Sequence, residues 1–287
     1  MSRALIAGCG YVGRPLAERL VAEGVDVFAL RRREVPPGDG ITWLQADLGK
    51  PAELSAALAP LEASGDELDV YYLVSADGFG DDAYRLAYVD GLAHLLAALA
   101  GRPLRRLLFA SSTAVYHQSD GGWVDEGSPT EPETFSGRRL LEGEALARAC
   151  ETTAVVVRYG GIYGPGRTRL IDRIVDGEAL VDPKAARYRS RMHRDDCAAA
   201  MAHLAKIERP APIYVGADDD PADMRDVERW LCAELGRSVS SLRPAGAPRR
   251  GGHKRCRNRL LRDAGLALDY PSYRDGYGAL LDELGLR

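Results

Sequence analysis

Six residues near the N-terminus, Gly8-Cys9-Gly10-Tyr11-Val12-Gly13, constrain the fold more than any other part of the chain. They follow a short apolar run, Ala4–Ala7, and open a stretch in which Val12, Leu16 and Leu20 recur on one helical face. A strand must therefore turn sharply into a helix. Gly8 makes the tight turn, Gly10 leaves its backbone open to close approach, and Gly13 lets the helix pack on the strand. Amide groups at the start of such a helix point toward an anion.

The pattern continues beyond this turn. Runs at Val25–Leu30, Ile41–Leu44, Val70–Ser75, Leu107–Ser111 and Ala154–Arg158 are continuously apolar, as strands covered on both faces are. Helical spacing lies between them, for example at Leu92, Leu95, Leu96 and Leu99. The alternation predicts an α/β fold, a doubly wound parallel sheet. A length of 287 residues suggests about two units. After about Gly166 the rhythm changes: residues 167–194 are arginine-rich, and Asp195 or Asp196 then reads as the N-cap of a helix through Ala198–Lys206. A strand at Ile213–Gly216 and a helix from about Ala222 to Leu235 follow. The expected organisation is a dinucleotide-binding domain over 1–165, completed by a late strand from about 195–216. Residues 166–194 and 217–287 are expected to build a smaller C-terminal substrate lobe over the sheet's carboxyl edge.

Composition narrows the partners. With 38 basic and 42 acidic residues the formal net charge is −4, which gives no overall footprint for nucleic acid or an anionic membrane. The five cysteines are scattered without a C-x-x-C pair, so neither a disulfide framework nor a metal site is expected. The N-terminus runs directly into the first strand with no signal peptide, and the chain reads as cytoplasmic with a small-molecule substrate.

The second strand bears on the cofactor. An NAD site usually carries an acidic residue about 20 positions beyond the fingerprint, on the ribose 2′-OH. Here the strand ends Leu30-Arg31-Arg32-Arg33. Arg31 and Arg32 can grip a 2′-phosphate, so NADP is expected ahead of NAD. Asp47, closing the third strand, reads either as the neighbour of the adenine or as a plain turn cap. Tyr11 and Val12 in the fingerprint, with Ser75 and Ala76 at the end of the fourth strand, complete the residues expected along the cofactor.

Three further segments carry a resemblance: Ser111-Ser112-Thr113-Ala114-Val115-Tyr116, Arg158–Arg167 (RYGGIYGPGR), and Arg189–Asp196 (RSRMHRDD). With the fingerprint, and in this order, the chain resembles the NAD(P)-dependent epimerase/dehydratase family, the extended branch of the short-chain dehydrogenases/reductases. The resemblance implies a Rossmann domain with a small substrate domain, and hydride transfer at a C–O carbon by a serine or threonine, a tyrosine and a lysine. Ser112 matches the serine. The Y-x-x-x-K pair is absent: Phe135 stands in the tyrosine slot and Arg139 in the lysine slot. No lysine lies between Lys50 and Lys184, and no tyrosine between Tyr116 and Tyr159. Phenylalanine has no ionisable proton, whereas arginine can still hold a ribose hydroxyl.

Tyr163 and Tyr116 are candidate substitutes for the missing phenol. Arg189 matches the position at which nucleotide-sugar members hold the substrate diphosphate, and Arg167, Arg169, Arg187 and Arg191 accompany it. His193 reads as a substrate-side residue or as one that orients the loop before the helix. Glu142 and Glu144 read as surface ion-pair partners of the helix carrying Arg139. Helices near 86–100 and 137–150 are candidates for pairing two subunits into a homodimer. The expected function is an NADP(H)-dependent oxidoreductase, epimerase or dehydratase acting on a small anionic or nucleotide-linked carbonyl or hydroxyl compound. A non-catalytic NADP(H)-binding sensor is the alternative.

Overall fold

The computed structural model describes residues 2–33, 40–63, 65–179, 182, 184–243 and 252–287. The apolar runs form β1 (Arg3–Ala7), β2 (Asp26–Arg31), β3 (Ile41–Gln45), β4 (Leu68–Tyr72) and β5 (Leu104–Ser112). A two-residue strand, β6 (Trp123–Val124), precedes β7 (Thr153–Tyr159), β8 (Gly161–Tyr163), β9 (Arg191–His193), β10 (Ile213–Gly216) and β11 (Arg255–Cys256). Seven of these make one sheet in the order β10-β7-β5-β4-β1-β2-β3. Neighbours from β3 to β5 run parallel. All residues of β1 and β4 are buried, as central strands covered on both faces must be. The fold is thus the doubly wound, Rossmann-like α/β sheet expected from the sequence.

The chain winds outward from β1 to β3 and then crosses to β4 on the other side. The order reverses between β1 and β4, and such a switch point opens a crevice at the strands' carboxyl ends. Gly8 sits there.

Helices α1 (Gly13–Ala22), α2 (Pro51–Ala57), α3 (Asp81–Arg85), α4 (Gly91–Ala98) and α5 (Phe135–Arg148) accompany the strands. Leu92, Leu95 and Leu99 are buried in a core with Leu5, Val70, Tyr72 and Phe109, and each buried leucine contributes roughly 1.5–3 kcal/mol. The predicted helix at 86–100 is broken in a way the periodicity does not announce. Leu86–Asp90 forms one π-helical turn between α3 and α4. The buried Tyr72 hydroxyl donates to the Ala87 carbonyl at 2.6 Å within that turn. Wide turns of this kind are frequent at functional sites.

The chain divides into two compact units. The first comprises Met1–Val115, Glu131–Arg158 and Ala198–Tyr214; the second comprises Tyr116–Thr130, Tyr159–Cys197 and Val215–Arg287. Residues 116–130 and 159–165, grouped with the sheet by sequence rhythm, fall in the second unit because their pairing partners come late in the chain. β6 pairs with β11 and β8 with β9, both parallel, and Lys254 Nζ donates to the Tyr116 carbonyl at 2.9 Å.

The second unit has its own core, in which Ile171, Ile174, Val227, Leu231, Tyr277 and Leu281 are buried together. Its last helix, Tyr273–Glu283, begins at a capping box between Ser272 and Asp275. The helix at Arg194–Lys206 starts one residue before Asp195, so neither Asp195 nor Asp196 is its N-cap. Asp196 instead accepts the Asp269 and Tyr270 amides at 2.8 and 3.1 Å.

Candidate functional site

The three fingerprint glycines differ in what surrounds them. Gly8 has φ +87°, and a Cβ there would lie 2.7 Å from the Leu73 and Val74 backbone at the end of β4. Gly13 is equally confined, since its Cβ would meet the Gly8 carbonyl at 2.8 Å and the Ile6 side chain at 3.2 Å. Gly10 is not confined. Its nearest neighbour would be the Gly8 carbonyl at 3.9 Å, so packing does not demand a glycine there. The space that Gly10 keeps clear, at the start of α1, fits a pyrophosphate drawn against backbone amides. Tyr11 and Val12 lie half-buried in the same turn.

At the end of β2, Arg31 and Arg32 are both in the first unit. The Arg31 guanidinium lies 5.7 Å from the Trp43 ring centre, with Arg14 on the same ring at 5.6 Å. Arg32 forms a two-pronged ion pair with Asp77. Asp47 accepts the Gly49 amide at 2.8 Å, which is the turn-capping role, while its charge also acts on Arg32. Ser75 is exposed and Ala76 half-buried. The Ala76 backbone hydrogen-bonds the Tyr88 phenol, whose pKa is pushed up to about 12 chiefly by burial.

Ser112 ends β5, and its Oγ accepts the Ala114 amide at 3.2 Å. A Cβ on Gly137, in the first turn of α5, would lie 2.7 Å from the Ala114 carbonyl. The start of α5 therefore rests on the turn that follows Ser112. Thr134 caps this helix by accepting the Gly137 amide.

Phe135, the first residue of α5, packs on aromatic neighbours: Phe79 at 4.9 Å and Tyr84 at 5.4 Å between ring centres. Arg139 donates to both oxygens of Asp81 at 2.7 and 2.9 Å and to Glu142 at 2.8 Å. The cation in the lysine slot is thus countered by two carboxylates. Glu142 is the surface partner the sequence predicts; Glu144 is not. It is 3% exposed, paired with Arg158 from β7 at 2.7 Å, and accepts a hydrogen bond from Ser111 Oγ. The reason lies in helix phase, because Glu144 shares the buried stripe of Ser136, Gly137, Leu140, Gly143 and Ala147.

The remaining candidates belong to the second unit. Tyr163 is 6% exposed in that unit's core, 4.6 Å from the Tyr277 ring. Burial, and then the nearby Asp218 carboxyl, raise its phenol pKa well above the ordinary value. Tyr116 is buried as well. His193 is 1% exposed and lies 3.8 Å from the Tyr270 ring, and its Nδ1 accepts the Asp195 amide at 3.3 Å. Burial holds its pKa down at about 4, so it is a neutral interior ring at neutral pH.

Arg167 is exposed, with a hydrogen bond to the Ile162 carbonyl. Arg189 is half-buried, and its pKa is lowered by burial first and then by the like charges of Arg187 and Arg191. Cations that repel one another in this way favour an anion among them. Among the described residues no group of three or more His, Cys, Asp or Glu is placed to hold a metal, and no helix is long and apolar enough to cross a membrane.

Known proteins resemble this chain in sequence and fold. The chain is 29% identical to 3-diazoavenalumate denitrifying reductase from a Streptomyces species, over 96% of this chain and 99% of the relative. A solved Methylobacillus flagellatus structure, assigned as an NAD-dependent epimerase/dehydratase, is 37% identical over 99% of both chains with a TM-score of 0.81. The UDP-glucuronic acid 4-epimerase of Bacillus cereus, solved with UDP-glucuronic acid and NAD, covers 99% of each chain with a TM-score of 0.79. At 20% identity it speaks for the fold alone. The family model of the NAD-dependent epimerases and dehydratases matches residues 4–216, and the chain belongs to that family of enzymes.

Proposed function

We propose that this protein is an NADP(H)-dependent oxidoreductase acting on a small carbonyl or hydroxyl compound that is anionic or nucleotide-linked. The observation that carries the cofactor reading is the pair Arg31 and Arg32 at the end of β2, where an acidic residue would select NAD. Gly10, free of packing demands, supports the pyrophosphate position. The bound cofactor supplies or accepts hydride. Ser112 polarises the substrate oxygen, Arg139 holds a ribose hydroxyl, and the proton comes from a group other than Phe135 or from water. Arg167 and Arg189 are assigned to the substrate side, where the arginines suit an anion, while His193, buried with its Nδ1 on the Asp195 amide, suits the role of orienting the loop before the helix. The reductase name of the Streptomyces relative supports turnover over a role as a cofactor sensor.

A charge-assisted contact to phosphate is worth about 1.5–3 kcal/mol, which corresponds to roughly tenfold to a hundredfold tighter binding of NADP than of NAD. Calorimetric titration of both cofactors tests this. Equal affinities in the wild type, or a preference that survives Arg31→Asp with Arg32→Ser, would remove the reading.

Phe135 favours a second reading of the chemistry. Hydride delivery that expels a leaving group builds no oxyanion and needs no phenol. The Streptomyces relative is named for reducing a diazo compound. Release of nitrogen from an aryl diazo carboxylate with matching NADPH consumption, and no reduction of simple carbonyls, would select this route.

A further inference from the structure

The segment Asp77-Gly78-Phe79-Gly80-Asp81 meets the candidate cofactor site at three alternate residues. Asp77 presents both carboxylate oxygens to the two terminal nitrogens of Arg32. Phe79 lies on Phe135 at 4.9 Å. Asp81 presents both oxygens to Arg139. The two intervening glycines have nothing within 4 Å of a Cβ position, so the backbone stands clear at both. Arg32, Phe135 and Arg139 are all residues that sequence reasoning assigns to the cofactor or to the proton-transfer slot, and Phe79 also packs edge-on to Tyr84 at 5.8 Å.

We propose that Asp77 is a specificity-determining residue: its carboxylate occupies the edge of Arg32 that an adenosine 2′-phosphate takes, and exchange of one anion for the other releases Asp77–Asp81 from the site. This rests on the NADP reading above. The two-pronged pair uses the guanidinium edge that suits a phosphate. Both side chains are substantially exposed, at 48% for Arg32 and 62% for Asp77, so the pair is weak enough for a dianion to displace. A neutral ribose 2′-OH cannot take the place of a carboxylate on a guanidinium, so NAD leaves the pair closed. Asp77 therefore opposes NADP specifically. Phe79 and Asp81, two and four residues further on, are let go with it, which links occupancy at Arg32 to the surroundings of Phe135 and Arg139.

The test is calorimetry on the full chain with four ligands: NADP, NAD, 2′,5′-ADP and 5′-AMP. Wild type, Asp77→Asn, Arg32→Ser and the double variant are compared. Asp77→Asn keeps the shape and removes the charge. It is expected to tighten NADP and 2′,5′-ADP about threefold to tenfold, from the released pair and the lost repulsion, and to leave NAD and 5′-AMP unchanged. In the Arg32→Ser background the same change has no effect. Amide hydrogen exchange across residues 78–84 should quicken with 2′,5′-ADP but not with 5′-AMP. If Arg32→Ser abolishes a preference for NADP while Asp77→Asn leaves NADP binding unchanged or weaker, the role of Asp77 is overturned and the cofactor reading stands. If the wild type shows no preference and Arg32→Ser changes nothing, the cofactor reading fails and takes this proposal with it.

Discussion

The Glu144 carboxylate and the Arg158 guanidinium meet at 2.7 Å inside the first unit, with side chains 3% and 5% exposed. Ser111 donates to the same carboxylate, so α5, β5 and β7 are joined at one buried polar point adjacent in sequence to Ser112. Removing one charge strands the other in a low-dielectric interior, which costs about 3–5 kcal/mol. Glu144→Leu should lose that much stability in urea unfolding. Glu144→Leu with Arg158→Met should recover most of it, because two apolar side chains leave no orphaned ion. A single variant as stable as the wild type would contradict this account.

The fingerprint glycines separate folding from binding. Gly8→Ala places a Cβ 2.7 Å from the Leu73 and Val74 backbone just after β4 at φ +87°, so the variant should be destabilised whether or not cofactor is present. Gly10→Ala meets no protein atom closer than 3.9 Å and should unfold at the wild-type midpoint while binding either dinucleotide more weakly. Thermal unfolding and cofactor titration of the two variants form the check. A destabilised Gly10→Ala, or one with unchanged affinity, would remove the pyrophosphate from that position.

The fold was readable because it rests on local patterns: apolar runs, helical spacing and a glycine turn whose context fixes its meaning. Glu144 was readable in principle, since Leu140, Gly143 and Ala147 mark its stripe as buried, but a charged residue invites a surface reading until its partner is seen 14 residues away on β7. The ion pairs of Asp77 with Arg32 and Asp81 with Arg139 join residues 45 and 58 positions apart, and no periodicity reports such meetings. The π turn at Leu86–Asp90 was hidden for a similar reason. It depends on Tyr72 bonding Ala87, and on Gly91, where a Cβ would lie 2.7 Å from the Leu86 carbonyl.

Three buried groups of the second unit set opposing pH dependences. Burial lowers the His193 pKa to about 4, so between its unfolded value near 6.5 and that point the unfolded chain binds the extra proton, and His193 costs stability as pH falls. Burial raises Asp196 to about 6 and raises Asp218 as well, so there the folded chain binds the extra proton and stability grows as pH falls. His193→Asn keeps an acceptor for the Asp195 amide and removes the titration. Its stability should rise more steeply than the wild type's between pH 6.5 and 5, by up to about 1.4 kcal/mol per pH unit. Parallel slopes in urea titrations at several pH values would show that the ring titrates normally.

The final prediction concerns the slot at the start of α5. Phe135 offers no proton, and Arg139 is tied to Asp81 and Glu142. If the slot is where the family's phenol acts, Phe135→Tyr with Arg139→Lys should gain slow carbonyl reduction with NADPH. A positioned general acid supplies about a hundredfold to ten-thousandfold. Asp81 holds the native cation at 2.7 Å and should hold a lysine too, so adding Asp81→Asn should enlarge the gain by freeing the ammonium for its new task. Ser112→Ala in the same background should abolish the gain by removing the hydroxyl that polarises the carbonyl. Tyr163→Phe should leave it intact, since that phenol lies in the core of the second unit with its pKa raised by burial. If the wild type already reduces a carbonyl, and Tyr163→Phe eliminates the activity while Phe135→Tyr changes nothing, the proton comes from Tyr163 and the slot at Phe135 is only a packing position on Phe79 and Tyr84.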